Sequence, residues 1–299
     1  MNLNGGYAYR EVVTRSLAGQ TVLTRLLTFT HTDEAGWRRR LAEGRVTLEG
    51  RPVGPDAILR EGQELTWMRP PWVEPEAPLS TAVLFEDDHL VAVAKPSGLP
   101  TLPGGGFLEH TLLYLVRRRH PEASPLHRLG RGTSGVVLFA RTEAARQILA
   151  KAWREHEMTK VYRALAQGHP AEDAFTLDVP IGPVPHPRLG SLHAASPSGR
   201  PSHSAVQVLE RRSDGSSLLE VTIRTGRPHQ IRIHLAAAGH PLVGDPLYRA
   251  GGGADPEGLP GDLGYHLHAL RLAGDHPVHH LPFHITCGAP RLLQLESRS

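Results

Sequence analysis

Cysteine is almost missing from this chain of 299 residues, with Cys287 the only one. One thiol excludes an internal disulfide and any multi-cysteine zinc site. Lysine is nearly as scarce: only Lys95, Lys151 and Lys160 stand among the 33 basic residues. Charge of one sign is not in large excess either, the formal net charge being +3. That balance permits a phosphate-bearing partner without demanding one. No apolar run approaches the ~18 residues of a spanning helix, so no membrane partner is expected. The start, MNLNGGYAYREVV, lacks a basic segment followed by an apolar one. No signal peptide is therefore read, and a cytoplasmic protein is expected.

The length predicts two domains. Residues 1–68 read as the first, with a Leu/Val-striped helix over 21–29. Thr32-Asp33-Glu34 is a capping signal before a second helix at 37–42, which carries Arg38, Arg39 and Arg40 in a row. Short strands follow, one turning at Glu49-Gly50 and one at 62–67. Helices and strands with arginines beside them suit a small RNA-binding module, and equally a solvated surface helix. Residues 69–80 hold four prolines and no periodicity, which marks a stiff linker.

Residues 81–299 are rich in strand signals. The apolar runs at 90–94 and 136–140 suit strands buried on both faces. Residues 142–156 read as a helix with Ala145, Ile148, Leu149 and Trp153 on one face. Further strands are expected at 161–166, 203–209, 218–224, 265–272 and 281–286, and loops at 183–202 and 249–263. Strands outnumber helices and lack a βαβ rhythm, which predicts an α+β fold with a mixed or antiparallel sheet.

Two tempting motifs are set aside. Gly130-Arg-Gly132-Thr-Ser-Gly135 satisfies G-x-G-x-x-G. A dinucleotide site needs a helix after it, and Val-Val-Leu-Phe-Ala is strand. His266 and His268 alternate on a strand, with His279, His280 and His284 behind. No carboxylate or thiol set completes a metal site, so hydrogen-bonding histidines are expected and no metal.

The informative blocks come in order: 86–98, ending Lys95-Pro-Ser-Gly98; 126–140, opening Leu126-His127-Arg128-Leu129-Gly130; Lys160-Val-Tyr162-Arg-Ala164; Thr225-Gly-Arg227-Pro-His229-Gln-Ile-Arg232; 239–248; and Leu267-His268-Ala269. Together they resemble the RluA-type RNA pseudouridine synthases, and residues 1–68 resemble the S4-type RNA-binding domain. The resemblance implies a pseudouridine synthase fold, no organic cofactor, and an rRNA or tRNA partner for a monomeric enzyme. It makes Tyr162 the tyrosine that contacts the base, Arg227 the arginine that pairs with the catalytic acid, and Arg128 the residue that fills the stack when the target nucleotide flips out. His229 and Arg232 are placed in the same cleft. Lys95, His127 and Arg38 to Arg40 complete the RNA-facing set.

Where the family reads His-Arg-Leu-Asp, this chain has Gly130, and a frequent second acid two residues on is Gly132. Isomerisation needs a group that attacks the nucleotide or removes a ribose proton, and glycine offers none. Arg227 is then expected to lack its acid, with Asp87, Asp88 and Asp245 as acids near the motifs. Asp87 and Asp88 read equally as turn acids, and Asp245 as a loop acid holding backbone N–H groups. Two readings stay open: an RNA-uridine isomerase, and an RNA-binding homologue that has lost turnover.

Overall fold

The computed structural model describes residues 3–29 and 31–296 and divides the chain into two compact units, Met1–Glu74 and Pro75–Ser299. The boundary falls inside the proline-rich segment 69–80.

In the first unit, strand β1 (Tyr7–Val12) is followed by helices α1 (Val22–Leu26) and α2 (Glu34–Ala42), then β2 (Val46–Leu48), β3 (Arg51–Pro52) and β4 (Glu64–Arg69). The sheet order is β1-β4-β2-β3, all antiparallel. Thr21 caps α1, its hydroxyl accepting from the Thr24 N–H, and the helix is shorter than its apolar stripe predicts. The Asp33 carboxylate accepts from the Gly36 N–H at 2.8 Å, so α2 begins at Glu34, three residues before Trp37. Trp37, Leu26 and Val46 lie at the core of this unit, each at most 1% exposed.

The second unit contains β5 (Ala82–Glu86), β6 (Leu90–Lys95), α3 (Leu112–Arg117), β7 (Ser124–Pro125), β8 (Ser134–Ala140), α4 (Glu143–Arg154) and β9 (Thr159–Gln167). Then come β10 (Ala174–Leu177), β11 (Ile181–His186), β12 (Gly190–Ala195), β13 (Ser204–Arg211), β14 (Ser216–Ile223), α5 (Gln230–Ala237), β15 (Leu267–Asp275) and β16 (Pro282–Thr286). The main sheet runs β10-β13-β14-β9-β15-β8-β6-β5. Along that path β8 and β15 pair in parallel and the other neighbours antiparallel, so the sheet is mixed. Gly135 makes the parallel pairing possible: it has φ +114°, and a Cβ there would stand 2.2 Å from the Ala269 carbonyl oxygen. The apolar runs behave as their composition predicts, β8 being buried along its whole length.

Three expectations need correction. Segment 183–202 is not all loop, since β11 and β12 form a hairpin within and just before it. Ile181, Leu192 and Ala194 pack with Ile233 and Ala236 of α5, and this tertiary partner outweighs a Pro- and Gly-rich composition. Pro183 and Pro185 are tolerated because the hairpin is a separate two-stranded sheet. Residues 230–237, assigned no helix from sequence, form α5. Its residues Gln230 to Ala236 are all buried, the polar Gln230, Arg232 and His234 included, and their alternation with Ile231, Ile233 and Leu235 reads as a strand's period of two rather than a helix's. On α4, Ala145 and Leu149 are buried as expected, but Ile148 is 46% exposed.

Candidate active site

A cleft of about 340 Å3 lies against the central strands β14, β9 and β15 of the main sheet. The loop between β7 and β8 supplies His127, Arg128, Gly130 and Thr133. Strand β9 supplies Lys160 and Tyr162, the approach to α5 supplies Arg227 and His229, and the residue two before β15 is Tyr265. Tyr162, Arg227 and the Gly130 position therefore do meet in one cavity. Among the described residues its lining contains Arg128, Lys160, Arg227 and Arg232 and no carboxylate.

The 126–133 loop is held from behind. The Thr101 hydroxyl donates to the Leu129 carbonyl at 2.9 Å, and the Leu129 N–H donates back to that oxygen at 3.2 Å. His127 stacks on Trp153 of α4, with ring centroids 4.9 Å apart, and its Nε2 accepts from the Leu138 N–H. Burial, reinforced by the nearby Lys160 charge, pushes His127 down to about 3. It is a neutral brace for the loop. Arg128 beside it is exposed.

Lys95, expected to face RNA, points inward and is 1% exposed. Its Nζ donates to the carbonyls of Pro96, Leu99 and Arg131, tying β6 to the cleft loop. Burial and then the Arg131 charge push it down to about 7. Lys160 likewise donates to the carbonyls of Arg224 and Thr225, and burial pushes it to about 8. Tyr162 is 9% exposed, and burial pushes its hydroxyl up to about 12.

The two arginines exchange expected roles. Arg227 is half-exposed and gives its Nε to the Pro201 carbonyl at 3.2 Å, so it is not a stranded buried cation. Arg232 is the buried one, and it is not free to grip RNA. Its Nε and Nη2 reach the two Asp245 oxygens at 2.7 Å each. Asp245 does hold the loop as read from sequence, accepting from the Leu247 and Tyr248 N–H groups. Asp87 is a turn acid, accepting from the His89 and Leu90 N–H groups and from His276. None of Asp87, Asp88 and Asp245 lines the cleft.

His229 caps α5 from the left-handed region, at φ 55°. The Tyr248 hydroxyl donates to the His193 carbonyl, so it accepts from His229 Nδ1–H at 2.8 Å. Burial and then the Arg232 charge push His229 down to about 3, leaving it neutral. Gln230 sets the Arg227 loop: its Oε1 accepts from the Thr225 hydroxyl and the Arg227 N–H. Sequence reasoning passed over Gln230, Thr133 and Tyr265. Tyr265 carries one local signal, an aromatic just before Leu267-His268-Ala269.

Tyr265 explains the two glycines. A Cβ on Gly130 would stand 3.0 Å from the Tyr265 hydroxyl, and a Cβ on Gly132 would stand 2.8–2.9 Å from its ring carbons. Neither glycine has left-handed backbone, so a strained turn is not the reason for either. The Tyr265 hydroxyl sits 3.2 Å from Thr133 Oγ1, and the Arg232 guanidinium lies 4.1 Å from the ring centroid.

Of the three arginines on α2, Arg38 and Arg39 are exposed, and Arg38 pairs with Glu34. Arg40 instead folds over Trp37 and Trp67, 4.8 Å from each ring, because successive helical residues point about 100° apart. His268, expected to be a hydrogen-bonding strand histidine, bonds Ser134 Oγ and the Cys287 carbonyl. Among the described residues no group of three or more His, Cys, Asp or Glu could hold a metal ion. No helix among them is long and apolar enough to cross a membrane.

The family model described as RNA pseudouridylate synthase matches residues 89–237. An uncharacterised RNA pseudouridine synthase of Synechocystis is 45% identical, over 82% of this chain and 85% of its own length. RNA pseudouridine synthase 5 of Arabidopsis thaliana is 40% identical over 90% of this chain and 89% of its own. The dual-specificity RNA pseudouridine synthase RluA of Yersinia pestis is 36% identical over 69% of this chain and 98% of its own. The structure of human RNA pseudouridylate synthase domain containing 1 matches with a TM-score of 0.56 at 24% identity, covering 76% of this chain and 94% of that one. That last likeness concerns the fold.

Proposed function

Since the chain belongs to the RluA-type RNA pseudouridine synthases, we propose that it isomerises specific uridines of structured RNA, rRNA or tRNA, to pseudouridine. The observation that carries this reading is the meeting of Tyr162, Arg128 and Arg227 in one cleft lined by cations. Arg128, Lys160 and Arg227, none of them paired there with a carboxylate among the described residues, give the cleft a positive field that attracts phosphate. Breaking the C1′–N1 bond and rejoining through C5 moves protons and adds no atoms, which side chains can serve without an organic cofactor. Arg128, exposed at the loop, fills the stack that the target nucleotide leaves. Tyr162 is a phenol at neutral pH, because burial holds its hydroxyl near 12. It contacts the base and passes on the proton that leaves C5.

In the same proposal residues 1–68 are an S4-like RNA-binding domain, supported by the exposed Arg38 and Arg39 on a capped helix. The enzyme works as a cytoplasmic monomer. Its one thiol, Cys287, is buried, which suits a compartment that makes no use of disulfides.

Tritium release from RNA carrying C5-labelled uridine tests the activity. Release by the wild-type protein from total cellular RNA is expected. RNA binding without release would favour the second reading, a homologue without turnover, whose one supporting observation is Gly130.

A further inference from the structure

We infer that Tyr265 supplies the base oxygen of this cleft, removing the proton on the ribose carbon C2′ of the target uridine. The inference rests on the isomerase reading above. Among the described residues the cleft lining holds no carboxylate. Its two histidines are committed elsewhere, His127 to the Leu138 N–H and His229 to the Tyr248 hydroxyl. Lys160 is bound to two backbone carbonyls. The side-chain oxygens of protonatable groups that remain are those of Tyr162 and Tyr265.

Tyr265 is the better placed of the two. Its hydroxyl borders the space that a side chain at residue 130 would enter, 3.0 Å from a Cβ there, and its ring lies closer still, 2.8–2.9 Å, to a Cβ at residue 132. The groups around it are identifiable on each packed element. Thr133 Oγ1 lies at 3.2 Å from the cleft loop. Arg232 from α5 stacks on the ring, 4.1 Å from its centroid, and is itself paired with Asp245. The Tyr248 ring centroid lies 5.0 Å from the same guanidinium. The guanidinium on the ring and the Thr133 hydroxyl within hydrogen-bond reach of the oxygen are groups that can stabilise charge developing there.

The step balances without a co-reactant. The phenolate takes the C2′ proton as the C1′–N1 bond breaks, leaving a C1′–C2′ double bond and a uracil anion. The uracil turns. Its C5 bonds to C1′ while the phenol returns the proton to C2′. The C5 proton is then lost and N1 gains one, so substrate and product are isomers.

The test compares wild type, Tyr265→Phe and Gly130→Asp/Tyr265→Phe for tritium release, RNA binding and melting temperature. Tyr265→Phe should lose about 10²–10⁴-fold in kcat, the usual share of a general base, with RNA affinity and melting unchanged. With the hydroxyl gone, a Cβ at residue 130 has only Thr133 Oγ1 within 4 Å, at 3.6 Å. The double variant should therefore regain activity. Its rate should be flat from pH 6 to 9, as for a carboxylate base. If Tyr265→Phe fails to fold, fluorotyrosine at residue 265, a more acidic phenol of similar size, should move the wild-type profile to lower pH. Activity of Tyr265→Phe within about threefold of wild type, or an unmoved fluorotyrosine profile, overturns the role of Tyr265 alone. A wild type with no turnover on any cellular RNA overturns the isomerase reading and this one with it.

Discussion

Arg232 and Asp245 form a two-point ion pair inside the protein, with side chains 2% and 1% exposed. The same carboxylate holds the N–H groups of Leu247 and Tyr248, so it anchors the loop after α5 as well as the cation under Tyr265. Removing one partner leaves a buried charge without its counter-ion. Asp245→Ala should cost about 3–5 kcal/mol of folding stability, measured by urea unfolding. A loss below about 1 kcal/mol would show that water reaches Arg232 freely.

Gly132 lies against the Tyr265 ring, where a Cβ would come within 2.8 Å of a ring carbon. Gly132→Ala should destabilise by about 1–3 kcal/mol through overpacking. Its backbone is not left-handed, so the cost comes from crowding alone. A variant as stable as wild type would mean that the ring shifts at no cost.

Acid should unfold the second unit through its buried histidines. His127 sits near 3 in the folded chain, below the ordinary value of 6.5. The unfolded chain binds the proton first as pH falls, so stability is full above about 6.5 and is lost between there and about 3. The slope is about 1.4 kcal/mol per pH unit for one such group. His127→Gln keeps an acceptor for the Leu138 N–H and removes the titration. Its unfolding free energy, followed from pH 7 to 4, should fall less steeply than that of wild type. Equal slopes would place the histidine in water.

Arg128 should matter in proportion to the structure of the RNA. Opening a stacked helix costs a few kcal/mol, and a short single strand avoids that cost. Arg128→Ala should reduce kcat/KM on folded RNA at least about tenfold more than on a short strand, which corresponds to about 1.4 kcal/mol. Equal losses would reduce Arg128 to a phosphate contact.

The arginines of α2 should separate by role. Arg38→Ala/Arg39→Ala should flatten the salt dependence of RNA binding, because two exposed cations no longer release counterions. Arg40→Ala should instead destabilise the first unit by about 0.5–2 kcal/mol, the worth of its contacts with Trp37 and Trp67. Binding isotherms at several salt concentrations, beside thermal melts, distinguish the two outcomes. An unchanged salt slope would remove α2 from the RNA-binding surface.

Sequence alone determined the α+β class, with the sheet left as mixed or antiparallel, the buried strands around Leu90 and Val136, the capping residues ahead of α2 and the ordered motif blocks that pointed to the family. These are legible because periodicity, caps and turn residues act over a few neighbouring positions. The hairpin of β11 and β12 and the all-buried helix α5 escaped the same reading, since each exists by packing against the other. Only the tertiary structure decided which arginine meets an acid: Arg232 and Asp245 are closed into a buried pair, while Arg227 turns to a backbone carbonyl. Only the tertiary structure gave the glycines at 130 and 132 a reason. Tyr265, 132 residues beyond Thr133, enters the space they leave open. Local pattern reports which way a chain bends and which face is apolar. The volume a side chain fills against a distant loop is decided by close packing, and that exists only once the strands are paired.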